Sequence, residues 1–190
     1  MRLVLASQSP RRHQLLQEAG FDFETILPGP NAECGVCAGE STPELVARLA
    51  FQKAKDVAPR VEGSAIIVTC DTVADIQGRV LGKPQDREHA EEMIRMLSGR
   101  KHSVYSGLCV QRLPGGDPQI QVERSDLFMK ELTDEQIEQY LESDYWVGKS
   151  GAFGYQDGHP WLELVSGNAD NVVGLPIPLL RKLLEKIGYE

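Results

Sequence analysis

The pattern of apolar and polar positions divides the chain into short apolar runs separated by amphipathic segments. Leu3 to Leu5 fit a short buried strand, and Phe21 to Leu27 alternate well enough for a second strand. Ala65 to Thr69 form a continuous apolar run, which is typical of a central strand buried on both faces. Two later segments, 102–110 and 120–128, predict a long hairpin because Pro and Gly residues join them.

Helix start and stop signals lie between these runs. Pro10 follows Ser9, a favourable N-cap residue, and predicts a helix that closes at Gly20. The last helix has an apolar face between Leu179 and Ile187. Three further helices are predicted to begin after capping residues: Ser41, Asp86 and Thr133. A short apolar piece at 172–175 follows a predicted turn and precedes the last helix.

The turn between the first strand and the first helix has the composition of an anion-binding site. Ser7 and Ser9 supply hydroxyl groups, and Arg11 and Arg12 supply forked cationic donors. A helix N-terminus adds unpaired N–H groups and a partial positive charge. The sequence therefore predicts a phosphate-binding turn, although the same residues equally fit an ordinary capped helix with two solvated arginines.

A carboxylate and a lysine are predicted to meet at one end of the sheet. Asp71 follows the central apolar run, and open α/β sheets place their chemistry at the carboxyl ends of strands. A hairpin formed by 73–76 and 79–81 brings Lys83 back toward that end. The alternative is that Asp71 only caps a local turn.

Length and charge limit the classes of function. The 190 residues are expected to form one domain over 1–190. The net charge of −8 gives no electrostatic support for nucleic-acid or membrane-surface binding, so any phosphate binding must be local. No window is as apolar as a membrane span, and the chain enters its first strand without a basic and apolar leader. We therefore expect a cytoplasmic protein.

The four cysteines give no sign of a zinc site. Cys34 and Cys37 form a CxxC pair, whereas Cys70 and Cys109 stand alone. A zinc site requires a second pair or histidines at ligand spacing, and the four histidines are scattered. We expect reduced, unpaired thiols.

Five motifs occur in order along the chain: SxSPRR, CDTVA, GKP, GKSGAFGYQD and SGNADNVVGLP. Together they resemble the Maf family of nucleotide pyrophosphatases. The resemblance implies an α/β fold: a single elongated domain with a mixed twisted sheet, flanking helices and a deep central cleft, similar to inosine triphosphate pyrophosphatases. It also implies a homodimer, a divalent metal (Mg²⁺ or Mn²⁺) and hydrolysis of a nucleoside triphosphate to the monophosphate and pyrophosphate.

The same resemblance assigns roles to individual residues. Asp71 corresponds to the catalytic acid and Glu33 to a carboxylate of the cleft, and both are expected to be metal ligands. Two roles stay open for Asp71: it deprotonates the water directly, or it holds the metal that does so. Five positions correspond to the family's phosphate contacts: Ser7, Arg11, Arg12, Lys53 and Lys83. Taken alone, Lys53 equally fits a lysine placed to suit a helix dipole. The family commonly has two adjacent acidic residues where this chain has Ala32 and Glu33. This difference is one that can alter the affinity for the metal or the choice of metal.

Three positions look like markers of the branch that acts on dTTP and UTP: Arg11, Thr72 and Gln156. An amide offers a donor and an acceptor, as the imide edge of uracil or thymine does. The branch that prefers methylated GTP usually has a tryptophan, a glutamine and a glutamate there. Two other functions stay open: a nucleotide-binding regulator of septum formation without turnover, and the same hydrolysis on methylated GTP or damaged purine nucleotides.

Overall fold

A seven-stranded mixed sheet forms the centre of the computed structural model, which describes residues 1–189. Its strands are β1 (Arg2–Leu5), β2 (Phe23–Thr25), β3 (Ala65–Ile76), β4 (Arg79–Leu81), β5 (Lys101–Leu113), β6 (Gln119–Met129) and β7 (Leu162–Ser166). The strand order is β2-β1-β3-β5-β6-β7, and β4 pairs with β3. β1 is parallel to β2 and β3, whereas all other pairs are antiparallel. The expected mixed sheet with flanking helices is confirmed.

Within residues 1–189, six α-helices surround this sheet: α1 (Pro10–Glu18), α2 (Thr42–Val57), α3 (Arg87–Leu97), α4 (Asp134–Glu142), α5 (Ala169–Val173) and α6 (Ile177–Lys186). The predicted caps are confirmed at three of them. Capping boxes start α2 and α4, and the Asp86 carboxylate accepts a hydrogen bond from the N–H of His89. Among the described residues, none of the helices combines the length and apolar character needed to span a bilayer.

The apolar core lies on both faces of the central strands. On one face, Leu180 and Leu183 of α6 belong to a buried cluster with Ile66 and Val68 of β3. Helix α2 covers the opposite face, where Ala50 belongs to a second buried cluster. Burial on both faces explains why the apolar run in β3 is continuous rather than alternating.

The central strand is longer than predicted. We expected the apolar run of 65–69 to end on Cys70, Asp71 and Thr72, with 73–76 as the arm of a separate hairpin, but β3 runs without a break to Ile76. The physical reason is β5, which pairs with β3 from Ala65 to Asp75 and satisfies its backbone groups along that length.

Two other predictions are wrong in detail. β2 covers only Phe23–Thr25 of the predicted Phe21–Leu27 strand. Residues 169–173, predicted as the end of a turn and the start of an apolar piece, form α5, because the side chain of Asn168 caps it. The predicted N-cap residue of α1, Ser9, is confirmed, although its side chain makes no capping hydrogen bond.

Gly107 allows helix and sheet to approach unusually closely beside Asp71. It lies opposite Asp71 in the β3–β5 register, and a Cβ atom added to it would be 2.1 Å from the carbonyl oxygen of Val46 in α2. We expect Gly107→Ala to lower the free energy of unfolding by about 1–3 kcal/mol, because the helix must move away from the strand. Urea unfolding measures this change as a lower midpoint.

The matched control is Gly35→Ala, where an added Cβ meets no atom within 4 Å. Its midpoint should stay within the experimental error of the wild type. Equal midpoints for wild type and Gly107→Ala would contradict the assignment of a tight contact.

Candidate active site

Two adjoining cavities lie at the carboxyl end of β1, and all nine residues singled out from the sequence line them. The larger cavity has a volume of about 630 Å³ and includes Ser7, Arg12, Glu33, Lys53, Asp71, Thr72 and Lys83. The smaller cavity includes Arg11, Arg12, Thr72, Lys83 and Gln156. Because Arg12, Thr72 and Lys83 line both, the two cavities form one continuous site.

Asp71 reaches the cleft because its parallel neighbour ends before it. The pairing of β1 with β3 stops at Leu5 and Val68, so β3 extends beyond β1. Ser7 follows β1 and lies beside this extension, in the larger cavity. Although Asp71 lies within a strand, it still occupies the carboxyl edge of the parallel part of the sheet. Asp71 therefore has the position expected for a catalytic group of an α/β sheet, although it lies within a strand rather than after one.

Lys53 lies between the two carboxylates of the site. Its Nζ is 2.6 Å from Oδ1 of Asp71 and 2.9 Å from Oε1 of Glu33, and it donates to the carbonyl oxygen of Cys70 at 3.3 Å. Lys53 is 5 % exposed and Asp71 is 8 % exposed. A buried ammonium requires such partners, because burial without them costs several kcal/mol. The structure thus gives Lys53 two ion pairs with carboxylates, and its predicted phosphate contact stays a prediction.

The guanidinium of Arg12 joins three parts of the chain. It donates from Nε to the carbonyl oxygen of Gly174 at 2.8 Å, from Nη1 to Oγ of Ser7 at 3.3 Å, and from Nη2 to Oγ1 of Thr72 at 3.2 Å. Oγ of Ser7 also accepts from the N–H of Ser9 at 3.1 Å. Part of the donor capacity of Arg12 is therefore used to hold the site together.

Arg11 lines the smaller cavity beside a second cation, Arg12. Its Nη2 donates to the carbonyl oxygen of Gly148 at 3.1 Å. Burial, and secondly the charge of Arg12, lower the pKa of Arg11, while Asp157 acts in the opposite direction. The two arginines are therefore only partly neutralised by the protein, which favours an anion beside them.

The other two predicted specificity residues, Thr72 and Gln156, differ in how firmly their side chains are held. Oγ1 of Thr72 lies 2.7 Å from Oγ of Ser106 and donates to the carbonyl oxygen of Gly174 at 3.2 Å, so its orientation is fixed. Gln156 is exposed and lies in a 3₁₀ turn, Tyr155–Asp157. The adjacent Asp157 forms an ion pair with Lys149, which also lines the smaller cavity. This pair anchors the turn that carries Gln156.

Sequence reasoning missed Ser150 as a residue of the site. It lines both cavities, and its Oγ donates to the backbone oxygen of Thr72 at 3.1 Å. The available signal was its place between Gly148 and Gly151 in the glycine-dense run. Only Gln156 had been selected from that run.

The donors for a metal ion are limited to the two carboxylates. Among residues 1–189, no group of three or more His, Cys, Asp and Glu side chains is arranged to hold a metal. The four cysteines are free thiols; Cys70 and Cys109 are buried, and Cys34 and Cys37 are exposed. Any cation at this site therefore needs further oxygen ligands from a substrate or from water.

Comparison with known proteins finds relatives over nearly the whole chain. The family model described as "Maf-like protein" matches residues 2–187. A dTTP/UTP pyrophosphatase of Rhodopirellula baltica is 48% identical over 184 residues, which cover 96% of this chain and 81% of that protein. A dTTP/UTP pyrophosphatase of Carboxydothermus hydrogenoformans is 38% identical over 190 residues, which cover 100% of this chain and 100% of that protein.

A solved structure supports the fold alone. The HAM1 protein from Coxiella burnetii has a TM-score of 0.51 and 15% sequence identity, covering 98% of this chain and 99% of that chain. The match of the family model over nearly the whole length, together with two relatives above 30% identity, identifies the family. The chain belongs to the family of Maf-like proteins.

Proposed function

We propose that the cleft hydrolyses dTTP and UTP, and modified pyrimidine nucleotides of similar shape, to the nucleoside monophosphate and pyrophosphate. This is a house-cleaning activity that removes nucleotides. The observation that carries the proposal is the joined pair of cavities: one contains the buried carboxylate of Asp71, and the other contains Arg11 and Gln156. The names of the two relatives, both dTTP/UTP pyrophosphatases, support the same reaction.

The larger cavity suits a triphosphate. Its cationic residues oppose the roughly four negative charges of the ligand, and Lys83, exposed and shared by both cavities, is placed to contact a phosphate. Oγ of Ser7 and the N–H groups at the start of α1 add neutral donors. Asp71 is the group that accepts a proton from the attacking water, and Lys53 positions its carboxylate through the 2.6 Å ion pair.

A divalent cation, Mg²⁺ or Mn²⁺, fits the donors present. Asp71 and Glu33 direct carboxylate oxygens toward the same ammonium, that of Lys53, so their negative charges converge. Magnesium is usually held by one or two protein carboxylates, with substrate phosphate and water completing its ligands. When bound, the cation supplies charge stabilisation on the phosphates. Glu33 and Asp71 are the residues that would hold it.

The smaller cavity suits a pyrimidine base. Ala74, Val104 and Phe153 give part of its wall an apolar character, as the faces of a base ring require. The amide of Gln156 offers the donor and acceptor that an imide edge needs. Arg11 and the fixed hydroxyl of Thr72 limit the shape of the remaining space. The family resemblance adds two further proposals, a homodimer and a cytoplasmic location.

We expect Asp71→Asn to lower kcat by about 10²- to 10⁴-fold, because an amide cannot accept the proton of the attacking water. The measurement is product analysis after incubation of dTTP or UTP with magnesium. Asp126→Asn is the matched control, because Asp126 is a carboxylate of the same sheet in a different cavity. Wild type and control should both release pyrophosphate together with dTMP or UMP.

Two results would contradict the proposal. Tight nucleotide binding by the wild type without turnover would support a binding regulator instead. Release of orthophosphate would mean that water attacks the outer phosphate.

A chelator should abolish turnover, and added Mg²⁺ or Mn²⁺ should restore it. We expect Glu33→Gln to raise the metal concentration for half-maximal activity by about 10- to 100-fold, because one anionic ligand is lost. Glu62→Gln, which removes an exposed carboxylate outside both cavities, is the control. Activity of Glu33→Gln at the same metal concentration as the wild type would refute the assignment of Glu33 as a ligand.

Arg11→Trp should shift substrate preference rather than only weaken binding. We expect the ratio of kcat/KM for dTTP to that for 7-methyl-GTP to fall by about 10-fold or more, because an aromatic ring replaces a cation beside the base. Arg12→Gln is the comparison, since Arg12 ties Ser7, Thr72 and Gly174 together and its loss should affect every nucleotide equally. Equal losses on both nucleotides in Arg11→Trp would count against a specificity role.

A further inference from the structure

Ser106 is a buried serine that has no part in the site described so far. It belongs to β5, next to Gly107, and its side chain is inaccessible to solvent. Within the described part of the chain, 1–189, the walls of the two cavities do not include it. Any influence of Ser106 on a nucleotide must therefore pass through a residue that does line the cavities.

That residue is Thr72, which lines both cavities and lies directly opposite Ser106 in the β3–β5 register. Oγ of Ser106 is 2.7 Å from Oγ1 of Thr72. The contacts of the same hydroxyl with Nη2 of Arg12 and with the carbonyl oxygen of Gly174 are both 3.2 Å long. The bond across the two strands is therefore the shortest of the three, and a hydroxyl pair of this kind stabilises adjacent strands.

Ser106 also connects the Thr72 hydroxyl to α5. Its Oγ donates to the carbonyl oxygen of Asn171 at 3.3 Å. Asn171 is fully buried, and its Nδ2 donates to the carbonyl oxygen of Val104 at 3.2 Å and to Oγ of Ser125 at 2.9 Å. Helix α5 is thus bound to β5 and β6 at this residue. The next three residues, 172–174, form part of the wall of the smaller cavity.

The hydroxyl protons of Ser106 and Thr72 keep the short bond in place. Each hydroxyl carries one proton and can also accept. If Thr72 donates to the oxygen of Gly174, Ser106 donates to Thr72; if Ser106 donates to the oxygen of Asn171, Thr72 donates to Ser106. If both protons pointed away, two oxygen lone pairs would face each other at 2.7 Å, which is unfavourable. Ser106 therefore holds the side chain of Thr72 in one rotamer in either arrangement.

We propose that Ser106 is a positioning residue for base recognition and acts through Thr72. The inference rests on the proposed function of the cleft and deepens it. The buried serine holds the hydroxyl that limits the shape of the smaller cavity, and so contributes to the preference for a pyrimidine over a purine. Without the serine hydroxyl, Thr72 keeps only its two longer contacts, and its side chain can exchange hydroxyl and methyl group by rotation about χ1.

Nucleotide binding without turnover tests this role. The probes are the α,β-methylene analogues of UTP and GTP, which cannot be split into monophosphate and pyrophosphate. Isothermal titration calorimetry with Mg²⁺ gives the dissociation constant of each. The wild type should bind the UTP analogue more tightly. Ser106→Ala should lower the ratio of the GTP-analogue Kd to the UTP-analogue Kd by about 3- to 10-fold, which is the effect of one hydrogen bond.

Ser103→Ala is the matched control. It removes a buried hydroxyl from the same strand, but that hydroxyl donates to Asp126 at 2.7 Å and lies in a different cavity. The ratio of the two dissociation constants should change by less than about 2-fold, because distant sites act independently.

A double-mutant cycle separates positioning from a merely structural role. Thr72→Val keeps the shape of the side chain and removes its hydroxyl, so Ser106→Ala should change the Kd ratio by less than about 2-fold in that background. A serine that only ties β5 to α5 through Asn171 would instead lower the urea midpoint and weaken the binding of both analogues equally. It would do so with or without Thr72→Val.

Three results overturn the proposal: an unchanged Kd ratio in Ser106→Ala, an equal loss of the ratio with and without Thr72→Val, or a wild type that does not distinguish the two analogues. The proposed hydrolysis fails on a different result, the absence of pyrophosphate release from UTP by the wild type. The two failures are distinguishable, because binding of the analogues requires no bond cleavage.

Discussion

The ammonium of Lys53 is the charge on which the arrangement of the cleft depends. It projects from α2, pairs with Asp71 of β3 and with Glu33 of the preceding segment, and is almost completely buried. Removal of a charged group from water costs several kcal/mol unless opposite charges surround it. The positions of a helix, a strand and a segment without regular secondary structure are therefore linked by one requirement, the neutralisation of a single cation.

Arg12 has the corresponding task on the other side of the cleft. Its three hydrogen bonds join the turn after β1 to β3 and to the residue after α5. The two most constrained cations of the site thus bind mainly to protein groups. Arg11 and Lys83, at the cavity surface, are left with more freedom to meet a ligand. Lys53 and Arg12 therefore stabilise the structure of the cleft, whereas Arg11 and Lys83 supply positive charge to its interior.

Much of the fold was predictable because local signals were strong. The capping boxes at Ser41 and Thr133 locate α2 and α4, and the apolar run at 65–69 locates the centre of the sheet. The full length of β3 was not predictable, since it depends on pairing with β5, far along the chain. The nine site residues followed from motifs and their order. The partners of Lys53 did not, because an ion pair depends on side-chain positions that spacing does not determine.

The β3–β4 hairpin has a mechanical consequence for the cleft. Asp71 lies on one arm of this hairpin, and Lys83 follows the other arm by two residues. Strand pairing with β4 and β5 therefore fixes the backbone that carries Asp71, while Lys83 projects from the segment just beyond the paired part of the hairpin. Glu33, in contrast, belongs to a segment that has no sheet partners. The two walls of the cleft are consequently held in different ways: strand pairing holds the wall that carries Asp71, whereas the ion pair with Lys53 holds Glu33 to the opposite wall.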